Sequence, residues 1–451
     1  MDNSQNERTF ALVLYQKIRE CVREKKENPL KTLLETSKVF GMAQMPLYIS
    51  AQDPTEVDVM IGILKYGCDP NTPNPNTHDF TLNAAVRSSN IIGVQILLSA
   101  GANPNNSNPT IGTSALSISL AKGNIEIAKI LIKAGANPNQ VDSRSGNFPL
   151  LVAVRSTDSS CVKELLNAGA NPDQMNLVTK DYPLLCACRS LYINVIKELL
   201  KSGANPNQIS NKKNDTFPLL TAIYCYEVAS LLLDHGADPN ITDTSGNFPL
   251  VMCNRSCDTK TVKLLLKKGA NPNQCQSQTG SFPLLMAAKG GYNGTVQALL
   301  KYGADPDQVN HKTGGTALNC ASKKCSPKII GSLLGSGADP NMKNPITENF
   351  PLYVACRHNQ HQNVQEFMNY NERCRQKILL LCCARELLSD SKNEIAECLV
   401  DNDCFPFDMF KMIIESIPMV DLGQVHAKSQ KTAFDIAKEY GYNKIMTLFV
   451  D

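Results

Sequence analysis

The sequence predicts an all-α repeat solenoid, and three observations carry that expectation. The phrase Gly-(Ala/Cys)-(Asn/Asp)-Pro-(Asn/Asp) begins at residues 67, 101, 135, 169, 203, 236, 269, 303 and 337, so it returns every 33 or 34 residues. A second marker, most often Phe-Pro-Leu, returns in step with it, its proline or proline equivalent falling at 46, 81, 115, 149, 183, 218, 249, 283, 317 and 351. Between the markers the apolar residues keep helical spacing, and one such segment is too short to bury its own apolar face, so copies must stack.

Composition agrees with a folded chain. Of 451 residues, 42% are apolar and 19% charged, unlike a disordered polymer. A net charge of +3 favours neither nucleic acid nor a membrane surface as partner. The opening "MDNSQNERTF" has no apolar stretch of the kind a secretory signal needs. No run of about 18 apolar residues is present to cross a bilayer. The 17 cysteines are odd in number, and several lie inside apolar runs such as "PLLCACRS" and "ILLLCCARELL". Cysteine there behaves as a small buried hydrophobe, which points to a reducing compartment, cytoplasmic or nuclear.

The elements follow in order. Residues 1–40 read as two helices, "RTFALVLYQKIRECVREKK" and "PLKTLLETSKVF", forming an N-terminal helical cap. Residues 41–370 form the array of ten repeats. In each, a proline at the first turn opens a helix, as in "PLLVAV" and "PLLMAA", where its missing N–H costs little. A second helix carries its apolar residues on one face: Val162, Leu165 and Leu166; Val262, Leu265 and Leu266; Val296, Leu299 and Leu300. The glycine phrase ends it, glycine taking the left-handed turn and proline preventing continuation. About ten polar residues follow, enough for a projecting turn or hairpin. Residues 371–451 lose the glycine phrase but keep helical patterning in "QKILLLCCARELL", "NEIAECLV", "DMFKMIIESI" and the closing "KTAFDIAKEYGYNKIMTLFV". They read as a degenerate, ankyrin-like helical C-terminal cap.

The phrases "GANPN" and "GADPN", the Pro-Leu helix start and the 33–34-residue period together resemble the ankyrin repeat family over roughly residues 40–370. The resemblance implies an L-shaped helix–turn–helix–hairpin stacked into a curved solenoid, and a partner-binding scaffold rather than a catalyst. Two departures stand out. Where the family has threonine before the proline, this chain has Phe80, Phe148, Tyr182, Phe217, Phe248, Phe282 and Phe350. Where the family has histidine after the leucine, it has Leu151, Leu185, Leu220, Val251, Leu285 or Tyr353. An aromatic–aliphatic ladder is expected to replace the local hydrogen bonds. The sixth repeat, Pro218–Gly236, is two residues shorter than its neighbours, and its "AIYCYEV" is expected to tighten the link between its helices.

The candidate contact residues form two sets. Six positions after each Pro-Leu proline stand Arg87, Arg155, Arg189, Arg255, Lys289, Lys323 and Arg357, with Gln52, Ala121 and Tyr224 as exceptions. In the family this position faces the concave groove at the end of the inner helix. A row of cations about 10 Å apart there would attract an acidic or phosphorylated protein segment. The bland alternative is a set of solvated arginines capping nearby carbonyls. The aromatic exception, Tyr224, is retained as a protein-binding candidate. The second set lies on the variable hairpin tips "QVDSRSGN", "QMNLVTKD", "QISNKKNDT" and "QVNHKTGG", which carry Arg144, Lys180, Lys212 and Lys312. In addition, Asn105, Asn139, Asn207, Asn240, Asn273 and Asn341 resemble the ankyrin asparagine that some hydroxylases modify; the simpler reading is a turn residue bonding its own backbone.

Catalytic signatures are not legible. There is no phosphate loop, no GxSxG elbow and no HExxH. Cys356, His358, His361 and Cys374 carry metal-ligand atoms without paired-zinc spacing. The expectation is therefore a non-enzymatic, monomeric interaction scaffold with no cofactor and no metal. A second reading rests on "FPFDMFKMIIESI" at 405–417, which resembles the opening helix of an F-box. It would make the chain an adaptor, or an intracellular-bacterial effector in the host cytosol, that brings a host protein to a ubiquitin ligase. A third reading places a cryptic enzyme in the C-terminal 80 residues or so.

Overall fold

The computed structural model describes residues 3–39, 44–156, 159–210, 216–253, 258–324, 326–358 and 360–370. Among these the chain is helical and contains no strand; two isolated antiparallel bridges, Ser107 to Ser114 and Ser210 to Thr216, mark hairpin bases. The chain separates into two compact units, Met1–Ala237 and Asp238–Asp451.

The N-terminal unit opens with α1 (Asn3–Arg23) and α2 (Glu27–Val39), then runs through α3 (Gln44–Ala51) with α4 (Val57–Lys65), α5 (Thr81–Arg87) with α6 (Ile91–Ser99), α7 (Ala115–Ala121) with α8 (Ile125–Lys133), α9 (Pro149–Arg155) with α10 (Ser159–Asn167), α11 (Pro183–Ser190) with α12 (Ile193–Lys201), and α13 (Pro218–Thr221) with α14 (Tyr226–Asp234). From α3 to α11, each inner helix packs on its own partner and on the inner helix of the next repeat, as α5 does on α6 and α7. The outer helices form a second row, α10 lying against α8 and α12. The core between the rows is apolar: Leu97, Leu116, Leu131, Leu150, Leu165, Leu184 and Leu199 are all buried.

The first helix pair is fixed by burial and by charge. Leu14, Ile18, Leu30 and Leu34 are buried, and α1 packs on α3 and α4. Glu56, just before α4, is only 2% exposed and meets Arg19 at 2.5 Å and Arg23 at 3.1 Å. An uncompensated carboxylate at that depth would be costly, so the two arginines bind α1 to the first repeat. Burial, followed by the charge of Glu56, pushes the nearby Tyr15 hydroxyl up to about 12.

The C-terminal unit contains α15 (Pro249–Cys253) with α16 (Thr259–Lys267), α17 (Pro283–Gly290) with α18 (Asn293–Lys301), α19 (Ala317–Lys323) with α20 (Pro327–Gly335), and α21 (Pro351–Arg357) with α22 (His361–Tyr370). Its inner row runs α15, α17, α19, α21, and α16, α18, α20 and α22 pack in the outer row. The F-box-like stretch at 405–417 and the rest of 371–451 lie outside the described residues.

The aromatic substitutions have a physical logic. Phe148, Tyr182, Phe217, Phe248 and Phe282 are completely buried, each directly before a helix-opening proline, and Phe148, Tyr182, Phe217 and Phe282 stand in extended backbone. At Phe148, Tyr182, Phe217 and Phe282 no side chain caps the helix, whereas Ser114 and Thr316 at equivalent positions accept the backbone N–H of Ser117 and Asn319. A lost cap costs about 1 kcal/mol. Full burial of a phenylalanine contributes about 1.5–3 kcal/mol, so the exchange favours the aromatic residue. Leu151, Leu185, Val251 and Leu285 are buried as well, while Leu220 and Tyr353 are half-buried.

The helix ends are set by the glycine phrase. Gly135 has φ +86, and the Ala136 N–H reaches back to the Leu131 carbonyl at 3.0 Å. Nothing lies within 4 Å of where a Cβ would sit on Gly135, so glycine serves the backbone angle rather than a tight fit. In the sixth repeat the two missing residues come from the inner helix: α13 is four residues long where α9 has seven and α11 eight.

Candidate interaction face

Two ladders of polar side chains join the repeats and fix where contact residues stand. The first uses the last residue of the glycine phrase. Asn71 donates to the Gly101 carbonyl at 2.9 Å and accepts the Asn103 N–H at 2.6 Å. Asn105 repeats this toward Gly135 and Asn137, at 3.1 and 2.6 Å, and Asn139 toward Gly169 and Asn171, at 2.9 and 2.7 Å. In the C-terminal unit Asn240 clamps Gly269 and Asn271, and Asn273 clamps Gly303 and Asp305. These amides bind the next repeat at both ends. Asp173 and Asp307 occupy the same column and only accept, from the N–H of Asn205 and Asp339. Glutamine one residue later adds a rung: Gln140, Gln274 and Gln308 donate to the carbonyls of Asn105, Asn240 and Asn273 at 2.8–3.0 Å.

The second ladder anchors the hairpins. Asn108, Asn176, Asn310 and Asn344 accept backbone N–H groups two and three residues ahead while donating to the preceding hairpin, at the carbonyls of Thr77, Ser145, Thr279 and Thr313. Gly146, with φ +68, sits where the next anchor passes: a Cβ there would lie 2.6 Å from Asn176 Oδ1. This ladder holds the tip cations in place. Arg144 N–H is bound by Asp142, Lys312 N–H by Asn310, and Lys180 N–H by the Asn176 carbonyl. Arg144 and Lys312 are exposed and Lys180 half-buried; Lys212 lies outside the described residues. Apolar side chains stand beside them, Leu177 at 75% and Val178 at 67% exposure, with Ile111, Val141 and Ile209 exposed on neighbouring hairpins.

The cations at the inner-helix ends fall into two groups. Arg87 is paired with Asp79, a buried carboxylate that also takes hydrogen bonds from Tyr48 and Asn83. Arg189 Nη1 meets Asp181 at 2.5 Å, and Arg155 approaches the same carboxylate at 3.8 Å while donating weakly to Asn147 at 3.4 Å. Cys186 lies among them; burial, then the charge of Asp181, pushes its thiol up against the opposing pull of Arg155 and Arg189. Lys289, Lys323 and Arg357 are exposed, and none pairs with a carboxylate among the described residues. Burial pushes the Cys320 thiol up, with Lys289, Lys323 and Lys324 close enough to oppose the shift. Burial also lowers His358, assisted by Lys323 and Arg357. Tyr224, at 57% exposure, follows the short α13. Arg255 lies outside the described residues.

Neither ladder is legible in the sequence alone, although both columns share its period. By sequence the asparagines of the glycine phrase resemble local turn residues or modification sites, whereas those at 71, 105, 139, 207, 240 and 273 use their amides between repeats. Among the described residues no group of three or more His, Cys, Asp and Glu stands close enough to hold a metal ion, and no helix is long and apolar enough to cross a membrane. Cys374 lies outside the described residues.

Comparison with known families adds one match. The model for ankyrin repeats in three copies matches residues 47–142, 150–243 and 250–344. No curated protein matches the chain.

Proposed function

The chain belongs to the ankyrin repeat family, and from that premise we propose that it is a non-enzymatic scaffold that binds a protein partner through its inner-helix ends and hairpin tips, with an acidic segment as the preferred ligand. Ankyrin repeats generally mediate protein–protein interaction. The observation that carries the finer reading is the recurrence of a cation at the end of one inner helix after another, Arg87, Arg155 and Arg189 in one unit and Lys289, Lys323 and Arg357 in the other. The polar joints between repeats are made largely of backbone and amide groups, over a shared apolar core. The residues between those joints are therefore open to variation, as recognition by a constant scaffold requires.

Site-specific photo-crosslinking tests this. A crosslinking residue at 177, 224 or 358 is expected to capture a partner, while one at the outer-helix positions 133 or 301 is not. Capture from 358, beside Arg357, is expected to fade at about 0.5 M salt, where the Debye length falls to a few ångströms. Partners captured only from the outer helices, or none from any position, would overturn the assignment.

A further inference from the structure

We propose that the C-terminal unit holds the docking site for an extended acidic protein segment, with Lys289, Lys323 and Arg357 meeting a carboxylate at every third residue of that segment. The proposal rests on the acidic-partner reading above and narrows it to one unit and one ligand pattern.

The residue eight positions before each cation sorts the column. In the N-terminal unit that residue is Asp79 before Arg87 and Asp181 before Arg189, and both arginines are neutralised. Arg155 has Asn147 at this position but borrows Asp181 from the following repeat. In the C-terminal unit the residue is Ser281 before Lys289, Gly315 before Lys323 and Asn349 before Arg357. No internal carboxylate occupies those three places. Lys324 adds a further exposed cation beside Lys323.

Helix packing brings these cations together, since α19 lies against both α17 and α21. Like charges held within about one Debye length, roughly 8 Å, repel one another. The fold gains nothing from that repulsion, and a polyanionic ligand removes it. Neighbouring inner helices pack about 8–10 Å apart, and an extended polyproline-type chain advances about 3.1 Å per residue with three residues per turn, so side chains three residues apart leave the same face of the segment and stand about one repeat apart along the row. Lysine accepts a carboxylate as a point charge without bidentate geometry, so the pattern demands spacing rather than exact side-chain orientation. Nucleic acid is the less favoured occupant: the row offers few cations, and a chain of net charge +3 attracts a long polyanion weakly.

The test uses the full chain and two synthetic peptides of one composition, one with glutamate at every third position and one with the glutamates in a single block. Fluorescence anisotropy is expected to show tighter binding of the spaced peptide, and the His358 ring signals are expected to shift on its addition. Lys289→Ala with Lys323→Ala is expected to weaken binding by about tenfold or more. Both side chains are exposed, so the fold is retained, as circular dichroism will verify. Ser281→Asp, which places a carboxylate eight residues before Lys289, is expected to weaken binding while leaving every lysine in place. Lys133→Ala, on the outer helix α8 of the other unit, is expected to change nothing. Equal or tighter binding of the blocked peptide, undiminished binding by the double variant, or tighter binding of a duplex oligonucleotide would each overturn the proposal. If neither peptide binds while the crosslinks described above still form, this docking site falls and the scaffold reading stands. If the crosslinks are absent as well, both fall.

Discussion

Arg189 closes on Asp181, eight residues before it in the chain, with 2.5 Å between Nη1 and the carboxylate. Arg155 approaches the same group from the preceding repeat at 3.8 Å. One carboxylate thus serves two repeats, and it removes positive charge from a surface whose sequence column reads as mostly basic. Substituting Asp181→Asn should lower stability by about 1 kcal/mol, a modest figure because both arginines are partly solvated. It should also create binding of a glutamate-rich peptide at the N-terminal unit. Urea melts and peptide anisotropy measure the two effects.

Asp307 occupies a column where asparagine elsewhere both donates and accepts. It accepts the Asp339 N–H but has no proton to offer the next glycine carbonyl. Its carboxyl is raised above the ordinary range, first by burial; the Asp339 N–H bond opposes this, and the charges of Asp339 and Asp305 add to it. A raised value means the folded chain holds the proton more tightly than the unfolded chain. That contribution is complete below the ordinary carboxylate range and is lost as pH rises through the raised value. Asp307→Asn is therefore expected to stabilise by about 1 kcal/mol at neutral pH. The gain should shrink as the pH falls toward about 4, as denaturant melts across that range will show.

Lys180 holds φ +59 at a hairpin position where Gly146, Gly280 and Gly314 stand in other repeats. A residue with a Cβ pays about 1 kcal/mol there. Lys180→Gly should raise the midpoint of chemical unfolding by an amount equivalent to about 0.5 kcal/mol, since glycine gives back some of the gain through greater freedom in the unfolded chain. An unchanged or lower midpoint would mean that the lysine side chain contributes contacts that offset its backbone cost.

Phe148 separates burial from capping. Phe148→Thr restores a residue able to cap α9, worth about 1 kcal/mol, and empties a completely buried aromatic site, costing about 3–5 kcal/mol. A net loss of roughly 2–4 kcal/mol is expected in calorimetry or denaturant melts. A net gain would reverse the account of why this chain departs from its family at that position.

Much of the fold was readable because its signals are local. The glycine phrase marks helix ends through a backbone angle, the prolines mark helix starts, and the apolar spacing of Val162, Leu165 and Leu166 marks the buried face. The paired state of Arg87 and Arg189 was not readable in the same way. Each partner lies across a turn, and only the folded hairpin returns Asp79 or Asp181 to the helix end. The spacing of eight was present in the sequence, but nothing local distinguishes Asp181 from a solvated loop residue. The hairpin anchors Asn108, Asn176, Asn310 and Asn344 escaped notice for a similar reason: each satisfies its own turn, and its second role needs the preceding hairpin beside it.

Where asparagine holds its column, the clamp treats successive neighbours alike. Asn71 grips Gly101 and Asn103 through the same pair of backbone groups by which Asn105 grips Gly135 and Asn137. A tandem copy of residues 101–134 would consequently find a ready-made fastening on each side, so gene duplication can lengthen the chain by whole modules without inventing a new seam.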